Sequence, residues 1–320
     1  YAEAEKLMLE DGYLAPIYQK ASAYLEKDYV SGIVNNSWGA DYTYTYADVD
    51  KDDKVLNLAT SSDIPTLDLS KATDQQSFQT ANTTMEGLTR VDAEGKVQPG
   101  VAESWETSED GLTWTFKLRK NSTWSNGTPV TAHDFEYSWK RTLTPETAAE
   151  YSYIMADIVG SSTKEIQENG VDGVGVKALD DYTLEVKLNR PVAYFAELVS
   201  FQVFFPQNQA FVESCGDAYG SAADKQLYNG PFTLTSWKME DQFTMEKNPN
   251  YWDAANVKLN KINTKVVKDT GAEVSLYEDG QIDRAILSSD YVDKYKDSKE
   301  LKTREVASIF MLQINGGNHK

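Results

Sequence analysis

The sequence predicts an α/β protein in which helices flank a mixed β-sheet and a smaller β-rich subdomain is attached. Three observations lead to this fold class. Alternating apolar residues indicate several half-buried strands. Helical segments lie between those strands without a regular strand–helix–strand repeat, and no internal repeat of fixed period is visible. A length of 320 residues corresponds to two domains or to one large domain with an attached lobe.

The first 50 residues predict one helix followed by extended segments. Ala4, Leu7 and Met8 form one face of the helix. Gly12 is suited to its C-cap, because glycine adopts the left-handed conformation without strain. Alternation of aromatic side chains then predicts strand structure. The helix covers residues 2–11, and the extended parts are 14–18 and the series Tyr42, Tyr44 and Tyr46.

From residue 55 onward, apolar alternation predicts a series of strands separated by two helices. Residues 131–134 resemble a capping box, and the helix that they start carries Phe135, Trp139 and Leu143 at intervals of four. A second helix is predicted at 272–277. The predicted strands include residues 55–59, 112–118, 184–188, 232–234, 243–245 and 309–314.

Residues 48–54 are a run of charged side chains, which is typical of a solvated linker. The run is superficially similar to a calcium-binding loop. Such a loop needs glycine at its sixth position and glutamate at its twelfth, where this chain has Asp53 and Ala59. The sequence therefore predicts a linker here and not a calcium site.

Charge and reactive side chains exclude several functions. The net charge of −19 repels nucleic acid phosphates and anionic lipid, so no nucleic acid partner is expected. Cys215 is the single cysteine, which excludes an intramolecular disulfide and a thiolate zinc site. His133 and His319 lie far apart, and neither has a nucleophile motif nearby. We therefore expect a binding protein rather than an enzyme, with no metal and no cofactor.

Several long segments are more specific than any short motif. They are rich in Trp, Gly and Pro, which suits a packed scaffold with tight turns. The segments are Pro99-Gly-Val-Ala-Glu-Ser-Trp105 with 112–119, 124–139, 176–195, Asn229-Gly-Pro-Phe-Thr-Leu-Thr-Ser-Trp237 with 247–252, and Tyr277-Glu-Asp-Gly-Gln-Ile-Asp283. Together they closely resemble the oligopeptide-binding proteins of bacterial ABC importers, the extracellular solute-binding proteins of family 5. The resemblance is collinear from about residue 55 to residue 315.

The resemblance implies a periplasmic-binding-protein-like lobe of type II, cluster C. Residues 55–320 would form this first lobe, with the β-rich subdomain at roughly 77–180. Proteins of this family hold an extended peptide between two lobes that close about a hinge, and bind it largely through its backbone. The implied partners are an oligopeptide ligand and a membrane permease. The implied location is extracytoplasmic, either in the periplasm or lipid-anchored at the cell surface as a lipoprotein.

Residues 1–50 also resemble this family, but they resemble its C-terminal end. The matching parts are the opening helix, residues 14–18 and residues 29–32. A circular permutation with a join at 48–54 would explain that order. Most of the second lobe is absent from the sequence, and a complementing chain could supply it. We therefore expect an engineered, split or trimmed lobe that binds peptide weakly or not at all alone; a natural permuted gene is the alternative.

The resemblance also marks positions for a ligand wall. The loop at 73–75 matches backbone that contacts the peptide, and the aromatic at 151 matches a pocket-lining position. Positions 310 and 312 match cleft-facing tyrosines and make this wall more apolar, while position 18 lies near the hinge. For each of these positions, the alternative is that the residue only packs against its neighbours or lies in an exposed loop, without contacting a ligand. The candidates are Thr73, Asp74, Gln75, Tyr151, Phe310, Leu312 and Tyr18.

Other functions stay open from the sequence. The same fold in relatives binds other solutes, such as a pheromone, a nickel complex, a heme or a sugar. With only two histidines and no cysteine cluster, the sequence does not favour a metal complex. A third alternative is an engineered interaction scaffold or one half of a split sensor, in which ligand binding is secondary.

Overall fold

The computed structural model describes residues 2–12, 14–36, 39–92 and 94–313. The α-helices are α1 (Ala2–Glu10), α2 (Gln75–Thr84), α3 (Ala132–Leu143), α4 (Thr163–Asn169), α5 (Phe195–Leu198), α6 (Gln209–Cys215), α7 (Thr270–Glu278) and α8 (Ser289–Tyr295). The strands of the N-terminal part are β1 (Leu14–Glu26), β2 (Val30–Ser31), β3 (Val34–Asn35), β4 (Tyr42–Thr43) and β5 (Asp48–Val49). The later strands are β6 (Val55–Thr60), β7 (Thr89–Val91), β8 (Val97–Pro99), β9 (Ala102–Thr107), β10 (Thr113–Leu118), β11 (Val176–Asp180), β12 (Thr183–Lys187), β13 (Phe232–Lys238), β14 (Gln242–Lys247), β15 (Lys261–Val266), β16 (Arg284–Leu287) and β17 (Leu301–Gln313).

Two four-stranded sheets organise the body, and they confirm the predicted α/β class. The first is mixed, with the order β13-β14-β15-β6, and its β15 runs parallel to β6. The second has the order β11-β12-β10-β9 and is antiparallel throughout. The apolar residues predicted to alternate are buried as expected, including Leu56, Phe116, Leu184 and Phe243.

Helix α3 begins with the capping box that the sequence predicts. The Thr131 side chain accepts from the backbone of the third helical residue, and the Asp134 carboxylate accepts from the Thr131 N–H. Phe135 and Trp139 are fully buried. The indole N–H of Trp139 donates to the Phe204 carbonyl at 2.8 Å, so this large side chain packs without an unpaired donor.

A long two-stranded ribbon is the third main feature. Strands β1 and β17 pair antiparallel over 13 residues each, and β16 joins β1 only at Ala23–Glu26. At this base the ribbon packs on α7 through buried Leu25, Val274 and Tyr277. The sequence predicted β17 only from Ile309, and the strand in fact begins at Leu301; Ile314 lies outside the described residues.

The N-terminal part departs from two sequence predictions. The tyrosine series does not continue as a strand past Thr43, because a turn closed by the Ala47 N–H on the Tyr44 carbonyl follows. The predicted linker at 48–54 is ordered: Asp48–Val49 pairs with β2, and Lys54 Nζ lies 3.0 Å from Asp48 Oδ1. Whether a permutation join lies here stays a prediction.

The two predicted helices near the ends of the chain are confirmed with small shifts in length. The first spans Ala2–Glu10, and its expected apolar face, which includes Leu7 and Met8, is exposed. The second spans Thr270–Glu278, because the Asp269 side chain caps it by accepting from the Ala272 N–H.

Candidate functional site

The loop before α2 and the first residue of α2 hold three of the predicted site residues. Thr73 is exposed. The Asp74 carboxylate caps α2, accepting from the Ser77 N–H at 2.8 Å. The Gln75 side chain donates through Nε2 to the Gly39 carbonyl at 2.8 Å. These two bonds fix the chain directly after Thr73, whose exposed side chain can face solvent or a ligand.

Tyr151 belongs to a half-buried aromatic cluster. Its ring lies 5.3 Å from that of Phe78 in an edge-on arrangement and 5.9 Å from that of Phe201 in a stacked one. Tyr153, which is 68% exposed, continues the cluster to the surface at 5.7 Å. Such a cluster gives a rigid apolar wall with polar hydroxyl tips.

Residues 39–43 connect this wall to the ribbon. On one side, the Gln79 side chain binds the backbone of Tyr42: it accepts from the Tyr42 N–H at 2.9 Å and donates to the Tyr42 carbonyl at 2.8 Å. Asn82 adds a second donor to the same carbonyl at 3.1 Å. On the other side, Arg304 of β17 donates to the Asp41 carboxylate at 2.6 Å and to its carbonyl at 3.1 Å.

Two guanidinium groups lie over the ring of Tyr42. Arg284 lies 4.2 Å and Arg304 lies 4.6 Å from its centroid. Arg284 also lies over the Tyr24 ring at 4.0 Å, and the arginine is only 5% exposed. Its three nitrogens have no hydrogen-bond acceptor among the described residues, so the aromatic faces and Glu26 at 3.8 Å compensate its charge.

A cavity of about 290 Å³ lies beside this loop. Its wall combines amides, carboxylates and aromatic rings from four separate parts of the chain: the first 50 residues, the end of α2 with the segment that follows it, the segment from Glu197 to Phe205, and Pro231. The sequence prediction missed it, since no local pattern brings these parts together. The lining includes Gly39, Asn82, Glu86, Arg90, Phe201 and Gln202.

Two of the lining residues, Glu86 and Arg90, belong to an ionic cluster. Glu86 accepts from the Tyr251 hydroxyl and the Trp252 indole, and lies 3.6 Å from Arg90. Burial raises the pKa of the Glu86 carboxyl above its usual range. Arg90 also bonds Asp253 at 3.0 Å, so two carboxylates flank one guanidinium.

The outer end of the ribbon carries the remaining predicted residues. Tyr18 and Phe310 stack face to face, with centroids 4.8 Å apart and planes 4° from parallel. Leu312 is 62% exposed. The large apolar side chains exposed on this end are Ile17, Tyr18, Ile309, Phe310, Met311 and Leu312. A patch of this size is typical of a surface that contacts another protein segment.

The predicted residues thus fall on two connected surfaces. Gly39 and Phe201 bring the loop at 73–75 close to Tyr151, since Gly39 receives Gln75 and lies against the Phe201 ring. The ribbon end is a separate surface, linked to the first through Arg304 and Asp41. In the described residues no group of three or more potential ligands could hold a metal ion, and no helix is long and apolar enough to cross a membrane.

Comparison with known sequences places this architecture in a family. The profile described as "Bacterial extracellular solute-binding proteins, family 5 Middle" matches residues 96–319. The chain belongs to this family. Its proteins are solute-binding components of ABC transporters and not enzymes, which confirms the resemblance and the expectation of a binding protein.

Individual relatives agree with the family assignment. The oligopeptide-binding protein OppA of Bacillus subtilis is 37% identical over 249 residues, covering 76% of this chain and 46% of OppA. The substrate-binding domain of an oligopeptide ABC transporter from Bacillus anthracis superposes with a TM-score of 0.76 at 47% identity, covering 78% of this chain and 48% of that one. OppA of Listeria monocytogenes, solved with bound peptide, gives 0.75 at 42%, covering 78% and 49%. The chain therefore spans about half the length of these relatives.

Proposed function

We propose that this chain forms one lobe of the substrate-binding component of a bacterial ABC importer, and that the bound solute is an oligopeptide. The observation that carries this proposal is the match to relatives named for oligopeptide binding. The match covers about three quarters of this chain but about half of each relative, so the chain would supply one wall of a two-walled cleft.

The geometry of the first surface supports peptide as the ligand. Exposed Thr73 precedes Asp74 and Gln75, whose side-chain hydrogen bonds hold the chain in place there. A fixed loop of this kind can pair with the extended backbone of a ligand, and the aromatic wall at Tyr151 can pack against its side chains. Recognition through the backbone would explain tolerance of many peptide sequences.

The ribbon supports a two-lobe arrangement. Its base is packed on α7, whereas its outer end exposes Tyr18, Phe310 and Leu312. We propose that the ribbon runs through the hinge and that a second lobe, supplied by a complementing chain, covers this end. The N-terminal residues 1–50 would then correspond to the relatives' C-terminal end, displaced by a permutation, and their strand β1 would complete the sheet with β16 and β17.

The parent protein would act outside the cytoplasm, as the family description states for its members. We propose a location in the periplasm or, with a lipid anchor, at the cell surface. The closed, peptide-loaded form would then dock on a membrane permease, because ligand binding selects the closed state.

Calorimetry with a mixed library of short peptides tests the proposal. The chain alone should bind weakly or not at all, and a mixture with the second lobe of a relative, expressed separately, should bind tightly. Submicromolar binding to the isolated chain would contradict the one-wall interpretation. A stable two-chain complex that binds no peptide would contradict the proposed ligand.

A pair of variants tests the role of the ribbon end. Leu312→Asp should prevent assembly with the second lobe, because it places a charge on the proposed contact surface. Met239→Asp is the matched control, since Met239 is 74% exposed on the turn between β13 and β14, which belong to a different sheet from the ribbon. Equal assembly of both variants would exclude the ribbon end as the lobe contact.

A further inference from the structure

We propose that residues 39–43 form a releasable strap that couples the loop at 73–75 to the ribbon of β1 and β17. A peptide that fixes the loop would thereby also fix the ribbon, which the proposed function places at the hinge. The inference rests on that function and deepens it by naming the part of the chain through which ligand contact reaches the hinge. Hydrogen bonds on both sides of the strap support it, together with a buried arginine whose donors are unpaired.

One face of α2 holds the strap on the side of the ligand loop. Gln75, Gln79 and Asn82 are four and three residues apart, so their side chains lie on the same face of the helix. Gln75 Nε2 donates to the Gly39 carbonyl at 2.8 Å. Gln79 binds both the N–H and the carbonyl of Tyr42, and Asn82 Nδ2 donates to the same carbonyl at 3.1 Å. Because Gln75 is also a residue of the ligand loop, its side chain joins the loop directly to the strap.

Internal hydrogen bonds stiffen the strap. Its end is paired in the β3–β4 hairpin, and Asn36 of that hairpin binds three residues of the strap. The Asn36 N–H donates to the Asp41 carbonyl at 2.9 Å. Its Nδ2 donates to the Ala40 carbonyl at 3.0 Å and to Thr43 Oγ1 at 3.1 Å. These bonds cross-link the backbone, so we expect the strap to move as one unit rather than residue by residue.

Arg304 of β17 holds the strap on the side of the ribbon. Its guanidinium donates to the Asp41 carboxylate at 2.6 Å and to the Asp41 carbonyl at 3.1 Å. It also lies over the Tyr42 ring, 4.6 Å from the centroid. The carbonyl of Asp41 thus accepts from both Arg304 and Asn36, which places the ribbon contact on the cross-linked part of the strap. A shift of the strap therefore acts on the ribbon through Arg304.

Arg284 makes the strap releasable. It lies over the Tyr42 ring at 4.2 Å, and none of its three nitrogens has an acceptor among the described residues. The aromatic rings and Glu26 offset its charge but do not bind its N–H groups, and buried donors without acceptors cost free energy. Water would supply these acceptors when the strap lifts with Tyr42. The closed strap is therefore held by few surplus contacts, and a ligand that strengthens the Gln75 contact can shift the equilibrium towards closure.

Hydrogen exchange on the full chain tests whether the two ends of the strap open together. The Asn36 N–H reports the ribbon end, and the Gln75 side-chain amide reports the loop end. Gln75→Met should speed exchange at Asn36 by about fivefold, the loss of one neutral hydrogen bond. Arg304→Met should speed exchange at both reporters by a common factor. Unchanged exchange at Asn36 in Gln75→Met, or at Gln75 in Arg304→Met, would overturn the proposal.

Three further variants separate the strap from a general loosening of the fold. Gln76→Met and Lys302→Met are matched controls, because Gln76 accepts from a hydroxyl of β6 and Lys302 pairs with Glu26. Neither control should change the exchange at Asn36. Arg284→Met should slow that exchange by about fivefold or more, since methionine gains no hydrogen bonds to water when the strap lifts. Acceleration in either control equal to that in Gln75→Met, or faster exchange in Arg284→Met, would overturn the proposal.

The chain reconstituted with a second lobe provides the ligand test. Saturating peptide, with binding followed by calorimetry, should slow exchange at the Asn36 and Tyr42 N–H groups. Gln75→Met should abolish this slowing while peptide is bound. Peptide binding with unchanged exchange at both amides would reject the coupling and retain the peptide function. Common opening of the strap in the isolated chain, without any peptide binding after reconstitution, would retain the strap as one opening unit and reject the peptide function.

Discussion

The contact between Arg304 and Asp41 should decide how firmly residues 39–43 are held. Arg304→Met removes a hydrogen bond to a carboxylate, a hydrogen bond to a carbonyl and a stacking contact with Tyr42. Asp41 is two-fifths exposed, with a side-chain exposure of 40%, so its charge-assisted bond counts for about 1 kcal/mol after screening. The carbonyl bond adds up to about 1 kcal/mol and the cation–π contact about 0.5 kcal/mol.

The summed effect of about 2 kcal/mol corresponds to roughly 30-fold faster local opening. Hydrogen exchange checks it at the Tyr42 N–H, which donates to Gln79, and at the Asn36 N–H, which donates to the Asp41 carbonyl. Lys302→Met is the matched control, because Lys302 lies on the same strand but pairs with Glu26 instead. Unchanged exchange at both amides in Arg304→Met, or equal acceleration in the control, would refute this account of the loop.

Two further predictions concern buried charge. Arg141→Met should lower the free energy of unfolding, measured by urea titration, by about 3–5 kcal/mol. The Asp68 carboxylate is 3% exposed, and the substitution removes the arginine that binds it through two hydrogen bonds. Glu273→Gln should stabilise the protein increasingly as pH rises above the unfolded-state pKa. Burial raises the pKa of Glu273 in the folded state, so the native carboxyl costs stability once it ionises, whereas the amide keeps the bond from the Ile286 N–H.

An exposed ion pair provides the control for Arg141→Met. Arg190→Met breaks an exposed ion pair with Asp157 and should cost less than about 1 kcal/mol. If it costs as much as Arg141→Met, burial is not the cause of the larger loss. For Glu273→Gln, parallel stability curves for the two proteins between pH 4 and pH 8 would show that the carboxyl is not perturbed by burial.

Local sequence patterns predicted the strands and helices that are determined by residues near in sequence. The capping box at Thr131 and Asp134 and the alternating core of β10 and β12 follow from spacing alone. The prediction failed where distant side chains decide the structure. The tyrosine series ends as a strand after Thr43, because Gln79 and Asn82 from α2 bind the backbone there and a turn follows.

The same limit applies to the site. The resemblance to a family placed candidates at Thr73, Gln75 and Tyr151, and Gly39 with Phe201 brings those positions together. The cavity has no local signal, since Gln202 meets Asn82 across 120 positions of sequence. The lining residues therefore come together only once the chain is folded.

The ribbon has a consequence for how the isolated chain behaves at high concentration. Two strands alone are marginally stable in water, and an apolar strand edge is a template for pairing with another molecule. The outer half formed by β1 and β17 is such an edge, with exposed Ile17, Ile309 and Met311. A net charge of −19 keeps copies apart only while it is unscreened. Salt should therefore control colloidal stability, with dilute buffer preserving separate molecules and strong electrolyte allowing them to join edge to edge.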